Sequence, residues 1–225
     1  MSSARCPLGL GVALCLVLAL PAAAQEVRLP APQTKGALSL EQTLAQRRTW
    51  RSFQDDPLSL AQISQLLWAA YGVTGHKGSR ALKTAPSAGA LYPLDVYAVV
   101  GSVPGLAAGV YRFRPQGQAL LPLMAGDRRQ AAAQASLGQM WAAQAPVMLV
   151  ITAEYARCTQ RYGERGVRYT HIEAGCVAQN IFLQAEALGL KAGIIGAFRD
   201  QALAHALRLP SGHAPLLVMP VGRGR

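Results

Sequence analysis

Cysteine is scarce in this sequence. There are four in 225 residues, and two of them, Cys6 and Cys15, fall within the first 24 positions. The other two, Cys158 and Cys176, could pair in an oxidising compartment, but geometry decides such a bond and the sequence leaves it open. The four histidines, His76, His171, His205 and His213, are scattered at no ligand spacing, which argues against a structural zinc site. Carboxylates are few as well: 11 Asp and Glu stand against 22 Lys and Arg, for a formal charge of +11. No paired carboxylates, Ser/His/Asp set or metal-ligating cluster stands out, so no side chain is assigned as catalytic and none as a metal ligand. Aromatics make up 6% of the chain, and no Lys/Arg-rich tract runs through it. Nucleic-acid binding is therefore disfavoured, and the basic clusters are better explained by one bound phosphate. No internal repeat or long linker divides the chain.

What is present begins with a positive start at Arg5, an apolar run from Leu8 to Leu20, Pro21, and the small residues Ala22, Ala23 and Ala24. This is the pattern of a secretory signal peptide over residues 1–24. The run falls short of the roughly 20 apolar residues of a spanning helix. Leu14 before Cys15 argues against a lipoprotein site, and no twin-arginine pair is present. The expectation is unfolded export to the periplasm or beyond, with any cofactor loaded afterwards and no membrane span in the mature chain. The remainder, about 200 residues, suits one domain with a full core.

Residues 25–38, polar and proline-containing, read as an N-terminal arm, and 39–225 as the domain. Ser39 with Gln42, and Ser59 with Gln62, are reciprocal capping pairs that open helices running to about Arg48 and to Gly72. Residues 72–83 read as a polar, mobile loop. Strands are expected over 94–101, 109–114, 146–155, 191–198 and 215–222, and helices over 127–144, 171–188 and 199–207. Several connections are too short for parallel crossovers. The fold class is α+β, a mixed and mainly antiparallel sheet packed with helices.

Three segments carry candidate chemistry. Arg47, Arg48, Thr49 and Arg51 form a basic cluster with a hydroxyl, ahead of Phe53. Guanidinium groups grip a terminal phosphate through forked hydrogen bonds, and the same cluster reads equally as a solvated helix end complementing the helix dipole. Pro86, Ser87, Ala88 and Gly89 make a loop of small side chains, against which a flat ligand could lie, before an apolar strand. Ile194, Ile195, Gly196 and Ala197 form a second small-residue segment, and Gly196 permits close backbone approach. Taken alone, each also reads as a plain turn or a buried edge strand.

In this order, over roughly residues 40–222, the three segments resemble the FMN-dependent nitroreductase family, and within it the branch of thiazoline-oxidase-like dehydrogenases. The resemblance implies a nitroreductase-like fold with FMN at a homodimer interface. It implies the FMN phosphate on Arg47, Arg48, Thr49 and Arg51, with Arg223 as a further basic ligand after the last strand. It implies the 86–89 loop against the flavin, often from the partner subunit, and the backbone of Ile195, Gly196 and Ala197 along the ring system. The activity implied is transfer of hydride or electrons between a donor and a small organic acceptor: a nitroaromatic, a quinone or a heterocycle. NAD(P)H is scarce outside the cytoplasm, so a quinol, a redox partner or substrate oxidation by dioxygen would fit export better. The alternative is a flavin-binding or electron-carrying module without turnover.

Overall fold

Two mostly apolar segments become the middle of the sheet. In the computed structural model, which describes residues 25–225, β4 (Leu94–Val100) and β7 (Val147–Ala153) are buried at every position. Seven strands form one antiparallel sheet in the order β1-β6-β5-β4-β7-β9-β8. The others are β1 (Val27–Arg28), β5 (Gly109–Arg114), β6 (Ala119–Ala125), β8 (Lys191–Ala192) and β9 (Ala214–Gly222). A separate hairpin joins β2 (Val73–Lys77) to β3 (Arg80–Lys83).

Helices cover both faces, so both sides of β4 are apolar. On one face lie α2 (Leu60–Tyr71) and the long α5 (Arg165–Ala187). Ile63, Leu66, Val177 and Ile181 from these helices pack with Leu94, Val96 and Ala98. On the other face α3 (Arg129–Ala135) and α6 (Asp200–Ala206) pack Ala132, Ala133 and Leu203 against Tyr97, Val99 and Met148. The shorter α1 (Leu40–Gln46) and α4 (Ala156–Tyr162) flank α5. Both expected capping boxes form, at Ser39 with Gln42 and at Ser59 with Gln62.

The structure corrects several sequence expectations. Residues 72–83 are a two-stranded hairpin, because Gly78 takes a left-handed φ of 61° at the turn. The arm 25–38 contains β1, which pairs with β6, a strand the sequence reading did not expect. Helix 127–144 is split, since Leu137 and Gly138 take φ of 55° and 71° after α3 and a 3-10 turn follows over Met140–Gln144. The long helix starts at Arg165, six residues before His171. Of 191–198 only Lys191–Ala192 is strand, with one further bridge at Ile195. Cys158 and Cys176 are both free, with Cys158 buried. The expected signal peptide, residues 1–24, lies outside the described residues. Among the described residues no helix is long and apolar enough to cross a membrane.

Candidate functional site

The basic segment leaves α1 as extended chain and is sewn to the far edge of the sheet. Thr49 bridges Ala192, and the Trp50 N–H donates to the Ala192 carbonyl at 2.9 Å. Phe53 is buried and bridges Gly224, while Gln54 N–H donates to Arg223 O and Arg225 N–H to Ser52 O. Backbone bonding therefore brings the segment of Arg47, Arg48, Thr49 and Arg51 to the β8–β9 edge, near Arg223. Arg47 lies over the Phe182 ring at 5.2 Å and Arg51 over Trp141 at 5.9 Å. Among the described residues no carboxylate lies within ion-pair distance of Arg47, Arg48, Arg51 or Arg225. Arg48 folds back on the carbonyls of Ala45 and Arg47, and Arg223 stands 3.6 Å from Asp56.

The second small-residue segment follows directly. Ile195 is locked to Val218 by two backbone hydrogen bonds of 2.8 and 2.9 Å. Gly196 and Ala197, next along, are exposed, and their N–H groups meet no acceptor among the described residues. A Cβ added at Gly196 would touch only Leu217, at 3.9 Å. Unpaired cations beside open backbone donors suit an anionic ligand with a flat, hydrogen-bonding body, and these residues fit the phosphate and ring of FMN.

The 86–89 loop lies elsewhere. It leads into Leu94, which pairs with Ala153 at one end of the sheet, whereas Val100, Val147, Val221 and Ala192 mark the other end. Six steps along β4 at about 3.3 Å separate them, or about 20 Å. No hydrogen bond joins the loop to the arginine segment among the described residues. The loop is strained: Gly89, Ala90 and Tyr92 have φ of 60°, 52° and 50°. Glycine is required at 89, where the Tyr162 hydroxyl sits 2.6 Å from the place a Cβ would take.

A buried polar network, which the sequence reading missed, holds that strain. Ser87 Oγ accepts from the Tyr92 N–H at 2.8 Å, and lies close enough to Glu173 to help lower its pKa. Glu173 on α5 is 3% exposed and accepts from the Tyr71 hydroxyl at 2.5 Å. The Lys83 ammonium lies 3.6 Å from the Tyr71 ring centre and 4.6 Å from that of Tyr92. Burial raises the Glu173 carboxyl above its ordinary range and holds Lys83 down to about 8. Beside it, Asp95 receives Arg112 at 2.8 Å and Arg157 at 2.9 Å, and Arg157 also meets Glu154. His213 closes this cluster through Tyr97 at 2.9 Å, and burial holds its pKa down. Asp95, Glu154 and His213 come close enough to share a cation, but two guanidiniums already occupy the carboxylates. The only signals in the sequence were single residues: a Tyr closing α2, a Tyr before Pro93, a Glu in the long helix.

The sequence profile of the nitroreductase family matches residues 44–223. The chain belongs to the nitroreductase family. It is 42% identical over 198 residues to the protein MJ1384 of Methanocaldococcus jannaschii, which carries a provisional nitroreductase name, covering 88% of this chain and 96% of that one. It is 29% identical over 171 residues to the microcin B17-processing protein McbC of Escherichia coli, covering 73% of this chain and 62% of McbC. Among solved structures, a protein of Anabaena variabilis provisionally described as a nitroreductase superposes with a TM-score of 0.78 at 27% identity. That match covers 90% of this chain and 42% of the Anabaena chain. The McbC match supports the thiazoline-oxidase-like branch, and the family supports oxidoreductase chemistry.

Proposed function

We propose that this nitroreductase-family protein is an exported FMN-dependent oxidoreductase that works as a homodimer. It passes hydride or electrons between a donor and a small organic acceptor: a nitroaromatic, a quinone or a heterocycle. The observation that carries this reading is the set of arginines, Arg47, Arg48 and Arg51, that have no carboxylate partner among the described residues, beside the N–H groups of Gly196 and Ala197 that meet no acceptor there. FMN, when bound, supplies the redox-active ring.

The chain's own residues bind and orient. Arg47, Arg51 and the Thr49 hydroxyl hold the phosphate, with Arg48 and Arg223 adding positive charge once they leave their present contacts. Gly196 and Ala197 offer amide donors that stabilise negative charge gained by a ring lying along them. The stacking of Arg47 on Phe182 and Arg51 on Trp141 fixes both guanidiniums before a ligand arrives. The 86–89 loop lies at the other end of the sheet, which supports its service to the flavin of a second subunit.

Export rests on the signal-peptide pattern of residues 1–24, and it favours a quinol or redox partner over NAD(P)H as donor. The test is the visible absorption spectrum of the purified protein after incubation with FMN and desalting. Retained flavin is expected in the wild type, and its loss in the Arg47→Ala/Arg51→Ala variant. A folded wild-type protein that retains no flavin overturns the reading.

A further inference from the structure

We propose that the outer face of the first turns of α5 docks the protein on a membrane surface rich in anionic lipids. This surface is separate from the arginine segment and independent of the flavin reading. At the α-helical period, Val167, His171, Arg168, Ile172 and Arg165 follow one another round one side of the helix. The opposite side, with Gly166, Thr170, Glu173 and Ala174, is buried. Ile172 is 60% exposed and Val167 37%, so two aliphatic side chains stand in solvent on this face. One turn further on, a Cβ added at Gly175 would meet nothing within 4 Å, so the face stays open there.

The same face is cationic. From Ala156 to Ile172 the sequence carries Arg157, Arg161, Arg165 and Arg168, with Glu164 as its one carboxylate. Arg157 is spent on Asp95 and Glu154. Arg161, Arg165 and Arg168 are exposed, and among the described residues none has a carboxylate partner.

Open arginines interleaved with open aliphatic side chains match the chemistry of an anionic bilayer surface. The guanidiniums reach lipid phosphates, their stems lie along the aliphatic neighbours, and Ile172 and Val167 enter the boundary below the headgroups. Single-stranded nucleic acid would call for open aromatic rings, but Tyr162 and Tyr169 of this segment are turned edge to face on each other, 5.3 Å apart. A second copy meeting this face with its own would set arginines against arginines. Its other faces have little to offer, because the chain carries 22 Lys and Arg against 11 Asp and Glu, and Asp95, Asp127, Glu154 and Glu186 are already paired with cations.

The test is co-sedimentation of residues 25–225, which hold every strand and helix described above, with phosphatidylcholine vesicles with and without phosphatidylglycerol. The apolar run of residues 1–24 is left out because it would bind vesicles by itself. Binding is expected on the phosphatidylglycerol vesicles at low salt, with release as salt is raised. Arg165→Glu/Arg168→Glu should weaken the partitioning at least about tenfold. Arg28→Glu/Arg208→Glu makes the same change of charge at exposed sites outside this face, and should weaken it less than about threefold. Ile172→Ser changes no charge and should still weaken it by about threefold or more. The proposal is overturned if the protein ignores phosphatidylglycerol, if the two charge-reversal variants lose equal binding, or if Ile172→Ser binds as the wild type does. It is overturned too if Ile172→Ser turns a dimer into a monomer in sedimentation equilibrium, since a second copy then covers this face.

Discussion

The two ends of the central sheet are built on opposite plans. At the end marked by Val100, Val147 and Val221, charged side chains are left open: among the described residues Arg47, Arg48, Arg51 and Arg225 have no carboxylate partner, and backbone bonds with ring stacking set the segment's position. At the end marked by Leu94 and Ala153, polar groups pair internally, Tyr71 donating to Glu173 and the Tyr92 N–H to Ser87, beneath a strained loop. The first end keeps its bonding capacity for something outside the chain, while the second spends it on holding a backbone shape. Substitutions at the second end should therefore register as lost stability, and substitutions at the first as lost ligand.

The largest stability effect is expected at the strained loop. Gly89→Val puts a β-branched residue at φ 60° and drives its Cβ against the Tyr162 hydroxyl, 2.6 Å away. A loss of about 3 kcal/mol in denaturant unfolding is expected. A variant as stable as the wild type would mean that the loop is loose, and the contrast between the two ends would fail.

Next comes the buried carboxyl. Glu173→Leu leaves the buried Tyr71 hydroxyl without its acceptor, at a cost of about 2 kcal/mol. Glu173→Gln keeps an acceptor oxygen and should cost well under half of that. Equal losses for the two would show that shape, not hydrogen bonding, holds the loop. Because burial raises the Glu173 pKa, its protonated form is favoured in the folded state. That contribution is present below the ordinary glutamate range and fades as pH climbs through the raised value, and Glu173→Gln should remove the fade.

A smaller effect, visible only in a pH series, belongs to Lys83. Its pKa falls from 10.5 to about 8 through burial, against the raising influence of Asp95 and Glu173 and with a small lowering from Arg157. Between those values the unfolded chain binds more protons than the folded one, so stability rises with pH across that window. Lys83→Met should flatten the rise between pH 8 and 9.5, below the range in which Tyr71 titrates. Parallel slopes for variant and wild type would place Lys83 in solvent.

How much of this could be read from sequence depended on how local the pattern was. β7 showed as a nearly continuous apolar run and β4 as one interrupted by Asp95, and Ser39 with Gln42 and Ser59 with Gln62 marked two helix starts within four residues each. The arginine segment was legible because its members sit within five positions of one another. β6 was not, because Pro122 interrupts it; β1 covers only Ala119 and Leu120, so the proline falls where no ladder bond is needed on that side. The hairpin was hidden by Gly75 and Gly78, which read as loop until the pairing of β2 with β3 is seen. The Tyr71–Glu173 contact joins residues 102 apart, and no period or motif links them. Networks assembled by the fold from single residues leave no local signal.

The smallest stability effect should come from the arginines, and that is what makes them informative. Arg47→Ala/Arg51→Ala removes two stacked guanidiniums, yet breaks no ion pair and no backbone hydrogen bond among the described residues. Unfolding free energy should stay within about 0.5 kcal/mol per site of the wild type. Flavin retention after desalting should nevertheless fall away, because a phosphate loses two charge-assisted contacts at once. If the variant unfolds early, the arginines are structural, and the two ends of the sheet are more alike than their bonding suggests. If it is stable and still carries flavin, phosphate is held elsewhere, and Arg48 and Arg223 become the groups to remove next.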